Sequence, residues 1–137
     1  MIEQTVAILK PDAVVKVIVA QIKQRYLDIG LRIVRERTLR MTLSQAFDLY
    51  QEHMGKFFFE GLVLTMTSGS IVALLLEGEG AVDLVRKLNG ATDPAKAEPG
   101  TIRHDFPSAG GPFNIVHGSD SSEAVAREIA IIFGDGS

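Results

Sequence analysis

The chain contains no cysteine. Disulfides and thiolate metal sites are therefore excluded, and no redox compartment is marked. No apolar run approaches the roughly 18 residues of a membrane span. The opening "MIEQTVAILKPDAVV" carries an early Glu and a Lys-Pro-Asp interruption, so it does not read as a signal peptide. There is no Walker A loop and no kinase glycine loop. The three histidines, His53, His104 and His117, lack the spacing of a zinc site. Charge of one sign is scarce too: a formal net charge of −3 gives no electrostatic reason for non-specific DNA binding. An acidic total does not exclude a local basic site, so anionic small molecules stay open as ligands. What remains is an ordinary globular composition in 137 residues, enough for one domain with a real core. The expectation is a single domain over residues 1–137, soluble and cytoplasmic.

Hydrophobic patterning orders the chain. "TVAILK" is a β-rich run halted by Pro11, as a buried strand ending in a turn would be. Ile18, Ile22, Tyr26 and Ile29 then recur at helical spacing, with Gly30 as a stop and an ambiguous β-branched start over residues 14–19. "LRIVRERTLRM" alternates as a strand, and Thr42 or Ser44 opens a helix to about His53. "FFEGLVLTMTSG" reads as a short helix and "IVALLLEG" as an apolar strand. Residues 79–90 read as an amphipathic helix with Val82, Val85 and Leu88 inward and Gly90 as its stop. Pattern vanishes over residues 90–112, and a structureless stretch this long is usually functional or disordered. "FNIVHG" returns as a strand and "DSSEAVAREIAIIF" as a helix, with Asp120 as N-cap and Glu123 completing a capping box. The tail "GDGS" reads as polar and loose. Four strands interleaved with helices predict an α+β fold, an antiparallel sheet of the split βαβ kind. A doubly wound parallel sheet is the alternative, but two helices part the second and third strands and no glycine-rich turn follows the first.

His117 sits where a strand gives way to a helix, and two readings compete for it. One is a strand-end imidazole bonded to a backbone carbonyl. The other is a reactive group, for which Gly118 leaves room and permits unusual backbone angles, beside a helix start that favours negative charge. Glu128 lies two turns into that helix on the face of Ala124, Val125 and Ile132, and a carboxylate reaching one ring nitrogen would leave the other free to act. The alternative for Glu128 is a solvated residue beside Arg127. Lys10, Arg86 and Arg103, with Thr92 and Asn114, supply the ammonium, guanidinium, hydroxyl and amide groups that a phosphate chain needs. Each cation alone is an ordinary surface charge. Phe58 and Phe59 fit a core as well as a ligand platform.

Taken together and in order, "LKPDA", "FFEGL", "GATDPAKAEPGTIRHDF" and "NIVHGSDS" followed by Glu128 resemble the nucleoside diphosphate kinases from Thr5 to Phe133. The resemblance implies a ferredoxin-like βαββαβ domain, an antiparallel four-stranded sheet with added helices and a long nucleotide-site loop. It implies γ-phosphate transfer from NTP to NDP by a ping-pong route through a phosphohistidine. His117 matches the nucleophile, Glu128 the carboxylate that orients it, and Ser119 the hydroxyl near that pair. Lys10, Tyr50, Arg86, Thr92, Arg103 and Asn114 match the residues that hold phosphates and ribose. Phe58 matches the ring that stacks on the base, with Leu62 completing the apolar wall. Nucleoside di- and triphosphates, Mg²⁺ carried on nucleotide phosphates and not caged by protein, and a homo-oligomer, hexamer or tetramer, are implied with them.

The chain departs from that pattern in several places. "VVKVIVAQ" follows "KPDA", with Val17 and Ala20 where the family has a different run, commonly with a glycine. His104 stands where glycine usually follows "TIR", and Phe57 replaces the usual proline before the two phenylalanines. "PSAGGPF" is unlike the family run before Asn114 and lacks its arginine. The chain ends soon after Phe133, without a longer tail. A catalytically silent scaffold is the rival reading; the complete set of His117, Glu128, Lys10, Arg86 and Arg103 speaks against it. A ferredoxin-like nucleic-acid binder is disfavoured by the mild negative charge and the absence of an aromatic–basic alternating strand.

Overall fold

A computed structural model describes residues 1–134; the rest of the polar tail, residues 135–137, lies outside the described residues. Four strands form one sheet: β1 (Ile2–Leu9), β2 (Arg32–Leu39), β3 (Ile71–Glu79) and β4 (Val116–Gly118). Their order is β2-β3-β1-β4 and every pairing is antiparallel, as expected of the split βαβ arrangement. The helices are α1 (Pro11–Val15), α2 (Val19–Asp28), α3 (Leu43–Leu49), α4 (Phe59–Met66), α5 (Ala81–Asn89), α6 (Ile102–Asp105) and α7 (Ser122–Phe133). None among the described residues is long and apolar enough to cross a membrane.

The two central strands explain their own composition. Side chains alternate across a strand. Ala7, Leu9, Val72, Leu74 and Leu76 face one core with Ile22, Tyr26 and Val85, from α2 and α5. Val6, Ile8, Ile71, Ala73 and Leu75 face a second core with Leu49, Val63, Met66 and Ile132, from α3, α4 and α7. Because helices cover both faces, β1 and β3 are continuous apolar runs instead of alternating ones. The edge strand β2 is nowhere fully buried: Ile33 packs against the first core and Val34 and Leu39 against the second, with a bulge between Ile33 and Arg35.

Several boundaries differ from expectation, each for a local reason. β1 starts earlier, at Ile2, since it pairs with β3 from Ile2 opposite Glu79. The first helix splits into α1 and α2 around Val17, whose φ of 58° breaks the helical path. Left-handed backbone costs a β-branched residue about 1–2 kcal/mol, and Val17 bears it with its side chain 83% exposed. The third helix stops at Leu49 and passes into a tight turn, Gln51–His53. In α5 Ala81, Val85 and Asn89 are buried and Leu84 and Leu88 pack against the core, as expected of Leu88, while Val82 is only partly buried and its N–H donates to Glu3 Oε1 at 2.9 Å. The final helix is capped by Ser121, whose Oγ accepts from Ala124 N at 3.1 Å, and not by Asp120. Ser119 N still bonds Val6 O at 3.1 Å, which keeps the chain beside β1 and delays the helix.

Candidate active site

β1 and β4 bring the two ends of the sequence together. Ala7, Ile8 and Leu9 pair with Gly118, His117 and Val116, so His117 lies beside the strand that ends at Lys10. A cleft of about 1140 Å³ opens at this corner. Ten of the expected site residues line it: Lys10, Tyr50, Phe58, Leu62, Arg86, Thr92, Arg103, Asn114, His117 and Glu128. Ser119 does not reach the cleft. It is fully buried behind Glu128.

The imidazole is held from behind. His117 Nε2 and Glu128 Oε1 are 3.0 Å apart, and Ser119 Oγ donates to the same carboxylate oxygen at 2.8 Å. Val6 N in turn donates to Ser119 Oγ at 3.3 Å. Glu128 is only 2% exposed, so burial and two hydrogen bonds leave it little freedom. An ionised carboxylate can only accept, so this contact selects the Nε2–H tautomer and leaves the Nδ1 lone pair available. Among the described residues the protein hydrogen-bonds the ring through Nε2 alone. Tyr50 braces it edge-on, with ring centroids 6.2 Å apart and planes at 89°. Burial, with the Glu128 charge second, raises the Tyr50 phenol above its usual range. It is a neutral neighbour.

Gly118 serves a purpose other than unusual backbone angles, since its φ is not positive. A Cβ there would lie 3.0 Å from Asn89 Nδ2 and 3.1 Å from Val85 Cγ1. Glycine lets α5 pack against β4 immediately beside the imidazole. Asn89 is itself fixed by the Tyr26 hydroxyl, which donates to its Oδ1 at 2.6 Å.

The cations are built in with equal care. Lys10 Nζ donates to Asn114 Oδ1 at 2.8 Å and to the Pro112 carbonyl at 2.6 Å. Burial lowers its pKa to about 8, against the attraction of Asp12 and with help from Arg103. Asn114 Nδ2 reaches on to the Thr92 carbonyl at 3.1 Å, tying the loop to β4. Arg103 gives Nη1 to Gly90 O at 2.7 Å, Nε to Asn114 O at 3.2 Å and Nη2 to Val116 O at 2.6 Å. Three of its five N–H donors are thereby used, leaving two for a ligand. Burial depresses its pKa, with Arg86 adding repulsion. Arg86 itself projects from α5 as an exposed side chain of the cleft wall.

The stretch 90–112 is not structureless. It turns at Gly90 (φ 88°), where a Cβ would come within 2.7 Å of Thr101 Cβ. Asp93 caps a short turn at Pro94–Lys96 and Thr101 caps α6. Arg25 of α2 holds α6 from outside, with Nη2 2.9 Å from Asp105 Oδ2 and its guanidinium 5.2 Å from the Phe106 ring centroid. Ile115, fully buried, adopts φ 74°. Its N–H donates to Asp12 Oδ2 at 3.0 Å and its carbonyl accepts from Lys10 N at 2.8 Å, and these bonds hold a conformation costing about 1–3 kcal/mol.

At the mouth lies an aromatic cluster. Phe58 stands 5.3 Å from His53 and 5.3 Å from Phe57, with Lys56 Nζ 5.7 Å over its ring. Asp12, Asn89, Arg25 and His53 were not singled out from sequence. Asp12 had a visible signal in "LKPDA"; the others act through contacts 50 or more positions away or through side-chain stacking, which no local motif records. Among the described residues no group of three or more His, Cys, Asp or Glu could cage a metal. Besides Glu128, the lining holds separate carboxylates, Glu52, Asp83, Glu98 and Asp120, along with its cations. That donor set suits a Mg²⁺ ion whose remaining ligands are phosphate oxygens and water.

A family model described as nucleoside diphosphate kinase matches residues 3–137. The chain is 48% identical over 132 residues to a nucleoside diphosphate kinase of Methanococcus maripaludis, covering 96% of this chain and 98% of that protein. To the nucleoside diphosphate kinase of Thermoplasma acidophilum it is 47% identical over 135 residues, covering 98% and 90%. Its fold is similar to that of the crystallised nucleoside diphosphate kinase of Aquifex aeolicus, with a TM-score of 0.93 at 37% identity, covering 98% and 97%. The halophilic nucleoside diphosphate kinase of Halobacterium salinarum, solved in complex with CDP, gives a TM-score of 0.93 at 40% identity, covering 99% and 90%.

Proposed function

The chain belongs to the nucleoside diphosphate kinase family and transfers phosphate between nucleotides; from that premise we propose that His117 carries the phosphoryl group between the two halves of the reaction. The reading rests on one observation: a buried carboxylate engages Nε2, at 3.0 Å, of an imidazole that lines a cation-rich cleft. Nδ1 attacks the γ-phosphorus in line. The N–P bond forms as the bond to the bridging β-phosphate oxygen breaks, and NDP leaves with that electron pair. The terminal β-phosphate oxygen of a second NDP then attacks the phosphohistidine, and the N–P electron pair returns to the ring.

Each neighbour has a task derived from its position. Glu128 keeps the proton on Nε2 and offsets the positive charge the ring gains when Nδ1 is phosphorylated; Ser119 holds that carboxylate still. Lys10, Arg86 and the two free donors of Arg103 stabilise charge on the transferring oxygens, where most catalysis of phosphoryl transfer resides. Thr92, Asn114 and Tyr50 hold phosphate and ribose, and Phe58 with Leu62 receives the base. Stacking reads only a π-face, so such a wall accepts many bases. Asp83 and Asp120 are among the cleft carboxylates that could complete the shell of a Mg²⁺ ion carried on the phosphates, which would supply further charge neutralisation.

The same reading takes residues 1–137 as one domain, assembling as a homo-oligomer, hexamer or tetramer. It places the enzyme in the cytoplasm, because its highly charged substrates do not cross bilayers unaided. The decisive test is incubation with γ-labelled ATP and no acceptor. Acid-labile, base-stable label is expected on the protein, lost in His117→Ala and chased off by any NDP. Correctly folded protein that takes up no label would overturn the reading.

A further inference from the structure

Phe57 stands out at the cleft mouth. It is 99% exposed, yet it lines the cleft. A lone exposed apolar side chain is ordinary, but this one ends a continuous string of rings. From His117 the string runs to Tyr50 at 6.2 Å, to His53 at 6.4 Å, to Phe58 at 5.3 Å and to Phe57 at 5.3 Å between centroids. The inner rings are braced by protein. The outermost has only its edge-to-face contact with Phe58 and is otherwise open to solvent.

We propose that Phe57 is a specificity-determining residue whose ring contacts the outer part of a nucleobase lying on Phe58 and favours purines over pyrimidines. The inference rests on the base-binding role proposed for Phe58. The planes of Phe57 and Phe58 meet at 90°. A base stacked flat on Phe58 is therefore perpendicular to Phe57, which is the edge-to-face geometry that aromatic quadrupoles prefer. A purine is joined to its sugar through the five-membered ring, so its six-membered ring reaches further outward than a pyrimidine does. Proline at this position, the residue the family pattern carries, offers no comparable π-face.

Direct titration calorimetry of ADP, GDP, CDP and UDP with the full-length protein tests this. Phe57→Ala is expected to weaken purine binding about 2- to 10-fold, the value of one aromatic pair, and pyrimidine binding by less. The purine-to-pyrimidine Kd ratio moves accordingly, and Phe57→Tyr restores it. Since the ring is 99% exposed, its truncation removes little besides its edge-to-face contact with Phe58. An unchanged ratio in Phe57→Ala, or equal weakening for all four nucleotides, overturns the proposal. Binding with the expected ratio shift but without any phosphohistidine would refute the transfer role of His117 and leave Phe57 standing. Wild-type protein that binds no nucleotide would sink both.

Discussion

At the scale of single residues, each of the proposed reactive groups is held in place by protein partners. Glu128 illustrates this, being 2% exposed and shared between His117 and Ser119. Glu128→Gln keeps the shape but loses the charge that fixes the tautomer. It is expected to lower kcat on the order of 100-fold while nucleotide Kd changes little. Stopped-flow labelling with equilibrium titration separates the two, and a defect confined to binding would contradict the orienting role. Lys10 has its own signature, with a pKa held near 8 by burial. As the free protein's Lys10 loses its proton above about pH 8, affinity for the phosphates of an NDP is expected to weaken with rising pH. The dependence should vanish in Lys10→Met, as Kd titrations from pH 7 to 10 would reveal. For stability the sign is opposite. Between about pH 8 and the ordinary 10.5 the unfolded chain binds the proton that the folded one has released, so Lys10 contributes stability that increases with pH. Below pH 8 its buried charge remains a cost.

Elements were legible where composition had one cause. β1 and β3 are buried on both faces, so "VAIL" and "IVALLL" could only be interior strands. Gly90 ended α5 as expected because its φ of 88° excludes other residues. The misread features had two causes competing. Asp120 and Ser121 are both good caps, and the choice was made by the Ser119–Val6 hydrogen bond, a contact 113 positions apart that no helix signal contains. The loop 90–112 looked irregular because its order comes from Arg103 and Arg25, whose partners lie in other elements. The break between α1 and α2 was hidden since Val17 is the wrong residue for its own backbone. Val17→Gly removes that strain and little packing. It is expected to stabilise the fold by about 1 kcal/mol net of the added chain entropy, measured as a higher urea midpoint at unchanged slope. A loss of stability would mean the exposed side chain has a partner.

At the scale of the molecule, the fold class followed from the element order and the site from the likeness of dispersed motifs to one family. Composition, charge and periodicity could not bring Lys10 to Asn114; the β1–β4 pairing does. The sheet lies between the two cores, and both draw residues from early and late in the described residues, which fits the reading of one domain. Thermal unfolding of the unliganded protein, under conditions where any oligomer stays assembled or fully apart, is expected as one transition. Agreement of calorimetric and van't Hoff enthalpies per cooperative unit would establish it, while two resolved transitions would speak for separate units.

The three-pair junction between β1 and β4 also has a meaning in time. Lys10 is translated well before Asn114, His117 and Glu128, which come more than 100 positions later. A ribosome adds roughly 5–20 residues per second, so a growing chain holds Lys10 for many seconds before His117 exists to lie near it. During that interval β1 can pair with β3 but has an open edge where β4 belongs. The corner that carries the proposed site is therefore the last part of the sheet to be completed, and by the proposed mechanism a nascent chain cannot spend nucleotide before its sheet is closed.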